Sequence, residues 1–160
     1  MPEKNKLNVE QTIRGYLPQI VHMSLGTSKD NKPWVCEVHF AYDEDLNLYF
    51  RSLTSRRHSQ EIEANPNVAG NIVKQHQLGE YPVGVYFEGA AKRLEPGDEQ
   101  DKAFASIKER LQAGDDILEE AKRPDGHQFY KISVGTWYVF GKFDDQGSKK
   151  YELKWNGGAK

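Results

Sequence analysis

Cationic and hydroxyl side chains cluster where one predicted strand of this sequence ends and a predicted helix begins. The strand is the alternating apolar run Leu46–Ser52, and the helical pattern starts at Ser55. Amides at a helix N-terminus lack partners, the helix dipole is positive there, and an arginine can donate two parallel hydrogen bonds to one phosphate. The pattern therefore predicts a phosphate site formed by Arg51, Ser52, Ser55, Arg56, Arg57 and His58. Solvated charge at a helix start is the alternative that these residues leave open.

The rest of the chain has the pattern of a β protein with peripheral helices. Asn8 is a good N-cap with Gln11 three residues later, and apolar residues recur at helical spacing from Val9 until Pro18 stops the helix. Further helices are expected over Ser55–Ala64, from Asp98 to Leu111 and over Asp115–Lys122. Strands are expected over Val21–Leu25, Trp34–Tyr42, Leu46–Ser52, Val68–Val73, Val83–Leu94, Gln128–Val134, Thr136–Lys142 and Lys149–Trp155.

This order of elements predicts a mainly β fold, a small antiparallel barrel with helices at its edges. Trp34–Tyr42 and Leu46–Ser52 flank an acidic turn and are expected to pair as a hairpin. Residues 1–155 form one predicted domain, and the tail 156–160 is expected to be disordered.

Composition excludes several classes of partner. Charged residues make up 29% of the 160 residues and the net charge is −2, so no electrostatic footprint for nucleic acid is present. The single cysteine, Cys36, excludes an internal disulfide and fits a reducing compartment. No apolar run approaches the ~20 residues of a membrane span, and the polar start Met1–Lys6 lacks a signal-peptide pattern. We expect a soluble cytoplasmic protein with no membrane partner.

Residues 33–73, which contain the phosphate pattern, resemble the core of the pyridoxamine 5'-phosphate oxidase-like, FMN-binding split-barrel superfamily. The resemblance extends over about 9–155. It implies an antiparallel split β-barrel that forms a homodimer, with FMN held in a groove between two subunits. It also implies that the flavin ring lies over Val38, His39 and Phe40, largely against the backbone. The phosphate would lie against the segments Phe50-Arg51-Ser52 and Ser55-Arg56-Arg57-His58, and Phe140 would border the ring.

The sequence also departs from the oxidases proper. Those enzymes carry basic residues at both ends of the second strand, where this chain has Val35 and Phe40, and an arginine-rich substrate motif that Ala103–Lys108 does not match. A phosphorylated substrate needs its own cationic anchor. Pyridoxamine phosphate oxidation is therefore not expected, and the chain is closest to superfamily members without an assigned reaction.

The resemblance implies an FMN-binding flavoprotein, an oxidoreductase that moves hydride or electrons between a reduced nicotinamide-type donor and a small molecule. No acid or base is needed for hydride transfer at a flavin, so the absence of a catalytic motif does not oppose this function. Two alternatives stay open. One is a non-catalytic binding protein that holds haem or a deazaflavin, and the other is a stress or scaffold protein with no cofactor.

Several residues have simpler structural interpretations. The aromatics Trp34, Phe40, Phe50 and Trp137 favour core or subunit-interface positions. His39 could face the flavin or be a structural histidine, Cys36 is expected to be an inert buried thiol, and Asp115–Glu120 a solvated helix face. The five histidines show no short ligand spacing, so no metal site is expected.

Overall fold

One curled antiparallel sheet of eight strands organises the protein. The structure is a computed structural model, and it describes residues 6–157. The strands are β1 (His22–Lys29), β2 (Lys32–His39), β3 (Ala41–Tyr42), β4 (Leu48–Ser52), β5 (Asn67–Val73), β6 (Gly84–Arg93), β7 (Gln128–Lys142) and β8 (Ser148–Lys154). Their order is β2-β1-β5-β6-β7-β4-β3, with β8 paired to β7. The fold is the predicted antiparallel split barrel.

Helices cover the sheet and its open ends. They are α1 (Val9–Tyr16), α2 (Arg57–Ala64), α3 (Asp98–Leu111) and α4 (Asp116–Glu120), and a 3-10 turn, Leu17–Gln19, follows α1. The predicted cap of α1 is confirmed, because the side chain of Asn8 accepts a hydrogen bond of 3.0 Å from the amide of Gln11. The described part of the predicted tail is Asn156 and Gly157, and residues 158–160 lie outside the described range.

Two apolar clusters hold the helices and the sheet together. The larger fills the inside of the curled sheet and includes Leu25, Phe87 and Trp137, which are all at most 1% exposed. The smaller joins α3 and α4 to β4 and the start of β7, through Ile107, Phe129 and their neighbours. Core positions are confirmed for Phe40, Phe50 and Trp137, each 0% exposed, whereas Trp34 is 40% exposed, so its subunit-interface alternative stays a prediction.

β7 is one strand of 15 residues and not the two strands that were predicted. Its first half pairs with β4, its second half pairs with β8, and β6 pairs along most of its length. The pairing with β6 shifts by one residue where Glu88 faces Thr136 and Gly89 faces Val134, which leaves Gly135 as an extra residue. This β-bulge interrupts the alternation of side chains without ending the strand, which explains why the sequence pattern suggested a break.

The predicted hairpin between Trp34–Tyr42 and Leu46–Ser52 forms only next to the acidic turn, and the single strand predicted over Trp34–Tyr42 is wrong. β2 ends at His39 and pairs with β1, and β3 contributes two residues, Ala41 and Tyr42, that pair with β4. Phe40 occupies the break between them. Its amide donates to the carbonyl of Val21 at 3.2 Å, and its carbonyl accepts a hydrogen bond of 3.0 Å from Nε of Arg110 on α3. The first bond extends the β1–β2 pairing by one position, and the second ties the chain to α3 where the strand ends.

The helix that was expected to start at Ser55 begins two residues later, at Arg57. Thr54 and Ser55 form an exposed turn, closed by a 3.1 Å hydrogen bond from the amide of Arg56 to the carbonyl of Leu53. Arg56 is the N-cap residue and has extended backbone angles. The chain therefore passes from β4 to α2 through a short turn that carries Arg56 at its end.

The bulge depends on the absence of a side chain at Gly89. A Cβ there would lie 2.2 Å from the carbonyl oxygen of Ser133, so Gly89→Ala should lower the free energy of unfolding by about 3 kcal/mol. Gly15→Ala is the matched control, because no heavy atom lies within 4 Å of its Cβ position in α1, and it should stabilise by about 0.5–1 kcal/mol. Urea denaturation measures both effects. Equal stability of the two variants would contradict this account of the bulge.

Candidate functional site

A cavity of about 860 Å³ lies between β2, the end of β4, the start of α2 and the end of α3. This volume falls in the range of small-molecule and cofactor sites. Seven of the residues predicted to bind a cofactor line it: Val38, His39, Arg51, Ser52, Arg56, Arg57 and His58. The turn from β4 to α2 thus brings most of the predicted phosphate cluster to one wall, although the role of these residues stays a prediction.

Four of the predicted residues do not line this cavity. Phe40 and Phe50 are fully buried in the core, where the Phe50 ring stacks on Tyr130 with centroids 5.0 Å apart. Ser55 lies on the exposed turn before α2. Phe140 lies on β7 opposite Gly84 and is half-buried.

Ser52 and His58 form a hydrogen-bonded pair in the cavity wall. The hydroxyl of Ser52 and Nε2 of His58 are 2.7 Å apart, and both residues are buried. Burial lowers the pKa of His58 below its ordinary value, and the positive charge of Arg56 lowers it further. The imidazole is therefore neutral in the free protein near pH 7, and a bound anion would favour its protonated form.

The two adjacent arginines differ in their contacts. Nε of Arg57 donates to Glu61 at 2.8 Å, and its guanidinium lies 4.3 Å from the ring centroid of Trp34. The Glu61 side chain is 7% exposed and also accepts a hydrogen bond from Thr27. The guanidinium of Arg56, in contrast, makes no hydrogen bond or ion pair with any residue in the described range 6–157. Arg56 is thus a cation at the cavity wall that is available to a ligand.

Arg51 is held from a different direction. Its Nη2 donates to Oε2 of Glu120, and Oε1 of Glu120 accepts hydrogen bonds from the amide of His127 at 3.1 Å and from its Nδ1 at 2.7 Å. These bonds to His127, together with Arg51, hold the pKa of Glu120 at about 2, although partial burial opposes ionisation. Arg51 and His127 both line the cavity. The acidic stretch predicted to be solvated therefore contains one half-buried carboxylate that fixes two side chains of the wall.

The remaining wall combines imidazole, thiol and apolar groups. His22 and His39 face each other across the β1–β2 pair, with ring centroids 4.5 Å apart. Cys36 is half-buried, and burial, with the nearby charge of Glu37, raises the pKa of its thiol to about 11. The thiol is therefore neutral at physiological pH, in line with the prediction of an inert cysteine. Ile107 and Leu111 of α3 also line this cavity.

The cavity adjoins the open edge of the sheet. β2 is the terminal strand and pairs with β1 alone. Between Trp34 and Val38, the outer backbone groups of β2 have no backbone partner within the described part of the chain. An edge of this kind presents free donors and acceptors to a flat polar ligand.

No sequence pattern indicated a functional role for Glu120 or His127. They are seven residues apart on either side of the turn Pro124-Asp125-Gly126, and neither belongs to a recognisable motif. Across residues 6–157 there is no group of three or more His, Cys, Asp and Glu side chains arranged to hold a metal ion. In the same range no helix has the length and apolar character needed to cross a membrane.

A sequence model of the family described as pyridoxamine 5'-phosphate oxidase matches residues 9–141. This chain belongs to the pyridoxamine 5'-phosphate oxidase family. A search of curated proteins found no significant match. Neither of the two positions that are basic in the oxidases proper lines the cavity here, because Val35 is 63% exposed on the outside and Phe40 is in the core.

Solved structures with the same fold include proteins of several kinds. A heme binding protein from Mycobacterium smegmatis aligns with a TM-score of 0.74 and 16% identity, over 94% of this chain and 60% of that one. The heme storage protein HutZ from Vibrio cholerae aligns with a TM-score of 0.66 and 15% identity, over 80% and 91%. General stress protein 26 from Bacillus anthracis aligns with a TM-score of 0.60 and 21% identity, over 83% and 94%. At these identities the comparisons establish the fold alone.

The site makes a prediction about His58. Its pKa should lie below the ordinary value of about 6.5, and Arg56→Ala should raise it because a nearby positive charge is removed. Arg56→Lys keeps the charge and should leave the pKa of His58 near that of the unmodified protein. Titration of the imidazole protons by NMR measures this directly. A pKa of His58 that is unaffected by Arg56→Ala would mean that the two side chains do not share the wall.

Proposed function

We propose that the protein is an FMN-binding flavoprotein that moves hydride or electrons between a reduced nicotinamide-type donor and a small molecule. The observation that carries this proposal is the free guanidinium of Arg56 beside the Ser52–His58 pair, at the wall of a cavity large enough for a cofactor. When bound, FMN supplies the hydride and electron chemistry, and the protein binds and orients it. The family and the fold support this choice of cofactor.

The FMN phosphate would be held by one unpaired cation, by the Ser52–His58 pair and by the free amides of α2. Arg56 offers an unpaired guanidinium, Ser52 a hydroxyl, and His58 an imidazole that can gain a proton. The amides at the start of α2 have no side-chain cap, so they can donate to the same anion. Each hydrogen bond to a charged group contributes about 1.5–3 kcal/mol, and two or three of them would dominate the affinity.

The open edge of β2 supports a flavin over a porphyrin. A flavin ring has hydrogen-bond donors and acceptors along its pyrimidine edge, whereas the rim of a porphyrin is apolar apart from its carboxylates. The unpaired backbone groups of β2 near Val38 and His39 can satisfy such a polar edge. The ring would then lie along Val38 and His39, with Trp34 and Val38 as apolar contacts.

The proposal includes a homodimer with a shared cofactor groove. Exposed apolar side chains lie before β1 and on β2 and β5, at Val21, Val35 and Val73. Burying them against a second copy fits an obligate interface, which covers well over about 1,600 Å² in total. In this arrangement Phe140 of one subunit would border the flavin held by the other. A neutral Cys36 thiol fits the reducing cytoplasm, where we propose that the protein works.

Haem is the second candidate for the same cavity. The imidazoles of His22 and His39 line it, and imidazole is a common ligand of haem iron. Two proteins with the same fold are described as binding or storing heme. The open backbone edge of β2 and the cation Arg56 beside the Ser52–His58 pair favour FMN. The absorbance spectrum of the purified protein distinguishes the two cofactors.

If the wall formed by Ser52, Arg56 and His58 binds the FMN phosphate, the affinity for FMN should depend on Arg56. FMN should bind far more tightly than riboflavin, which has the same ring without the phosphate. Arg56→Ala should weaken FMN binding by about 10- to 100-fold and leave riboflavin binding unchanged. Arg57→Ala should have a smaller effect, because Glu61 already pairs with that side chain. Isothermal titration calorimetry measures these affinities.

Arg14→Ala is the control for that experiment, because Arg14 lies on α1 and not at this cavity, and it should leave both affinities unchanged. Equal affinities for FMN and riboflavin would contradict a phosphate site at Ser52, Arg56 and His58. Uptake of haem or of a deazaflavin, with no uptake of FMN, would replace the proposed cofactor.

A further inference from the structure

The Glu120–His127 contact fixes the proton on one side of an imidazole in the cavity wall. Glu120 is ionised at physiological pH, so its carboxylate can only accept hydrogen bonds. Nδ1 of His127, 2.7 Å from Oε1 of Glu120, must therefore carry a proton. In the neutral imidazole the other nitrogen, Nε2, keeps its lone pair and is free to accept a proton.

The carboxylate of Glu120 also holds Arg51 next to the imidazole of His127. Its second oxygen binds Nη2 of Arg51, so that Arg51, Glu120 and His127 form one chain of hydrogen bonds. The His127 side chain is 43% exposed and lines the cavity, so a small molecule can reach it. A histidine oriented through Nδ1 by a carboxylate, with Nε2 facing a ligand site, is an arrangement suited to general acid–base chemistry.

The other histidines lack this arrangement. His58 is paired with Ser52, and the ring of His22 lies against the ring of His39. His76 lies outside the cavity and contacts the carbonyl of Lys74. Within the range that the structure describes, His127 is the one histidine hydrogen-bonded to a carboxylate. Its position and its partner set it apart as a proton donor and acceptor.

We propose that His127 is the proton-transfer residue of this cavity and that Glu120 is the positioning residue that orients it. This role rests on the proposed function. In the reduction of a quinone-type acceptor, reduced FMN would provide a hydride, which carries two electrons and one proton. The protonated imidazole of His127 would give the second proton, from Nε2, to an acceptor oxygen. The acceptor would then be a hydroquinone, and the imidazole of His127 would regain its proton from water.

The first arm of the test uses the free protein and needs no cofactor. Long-range ¹⁵N–¹H NMR correlations distinguish the two neutral tautomers of each histidine. His127 should carry its proton on Nδ1, and Glu120→Ala should convert it to a mixture of tautomers. Glu119→Ala, a change at the neighbouring exposed carboxylate of α4, should leave the tautomer unchanged. A wild-type His127 protonated on Nε2 would overturn the proposal, whether or not Glu120→Ala folds.

The second arm measures the reoxidation of reduced, FMN-loaded protein by a benzoquinone in the absence of oxygen. His127→Ala should slow this step by about 10²-fold or more without loss of FMN, and added imidazole should restore much of the rate. His76→Ala is the control and should match the wild type. An FMN-loaded His127→Ala protein with the wild-type rate overturns the proposal. A wild-type protein that takes up no FMN removes the proposed function instead, and the tautomer measurement then decides the role of Glu120.

Discussion

The separation of β2 from β4 is the constraint on which the cavity depends. Were the chain to continue from β2 into a regular hairpin, β4 would cover the outer edge of β2 and the space between them would close. Arg110 prevents this arrangement. Its guanidinium donates to the carbonyls of Leu17, Ile20 and Phe40 and lies 4.6 Å from the centroid of the Phe40 ring. One half-buried cation from α3 thus fixes the end of the first helical segment and the break in the sheet.

The charges around this cavity are arranged so that few of them are left unpaired. Arg51 is paired with Glu120, and Arg57 is paired with Glu61 and stacked on Trp34. Each pair places its cation in a defined position while limiting the repulsion among neighbouring positive groups. Arg56 has no such partner in the described range and lies beside a histidine whose pKa is depressed. The unpaired positive charge of the cavity is therefore concentrated at Arg56, where an anion would be bound most favourably.

Much of this fold was predictable from the local pattern of residues. The cap at Asn8, most of the strands and the proximity of Arg51, Ser52, Arg56, Arg57 and His58 depend on neighbours close in sequence, and the structure contains them. The errors have distant causes. The break at Phe40 is set by Arg110, 70 residues away, and the continuity of β7 is set by its pairing with β6 across the bulge. The sequence around Glu120 and His127 is typical of a protein surface. Only the path of the connection between α4 and β7 brings these two residues to Arg51.

A crystal structure of the protein grown with FMN tests the central claim most directly. The account predicts one FMN in each cavity of a homodimer, with its phosphate within hydrogen-bonding distance of Ser52 and Arg56 and with its pyrimidine edge against the backbone of β2. A phosphate bound away from the turn between β4 and α2, or a flavin outside this cavity, would contradict it.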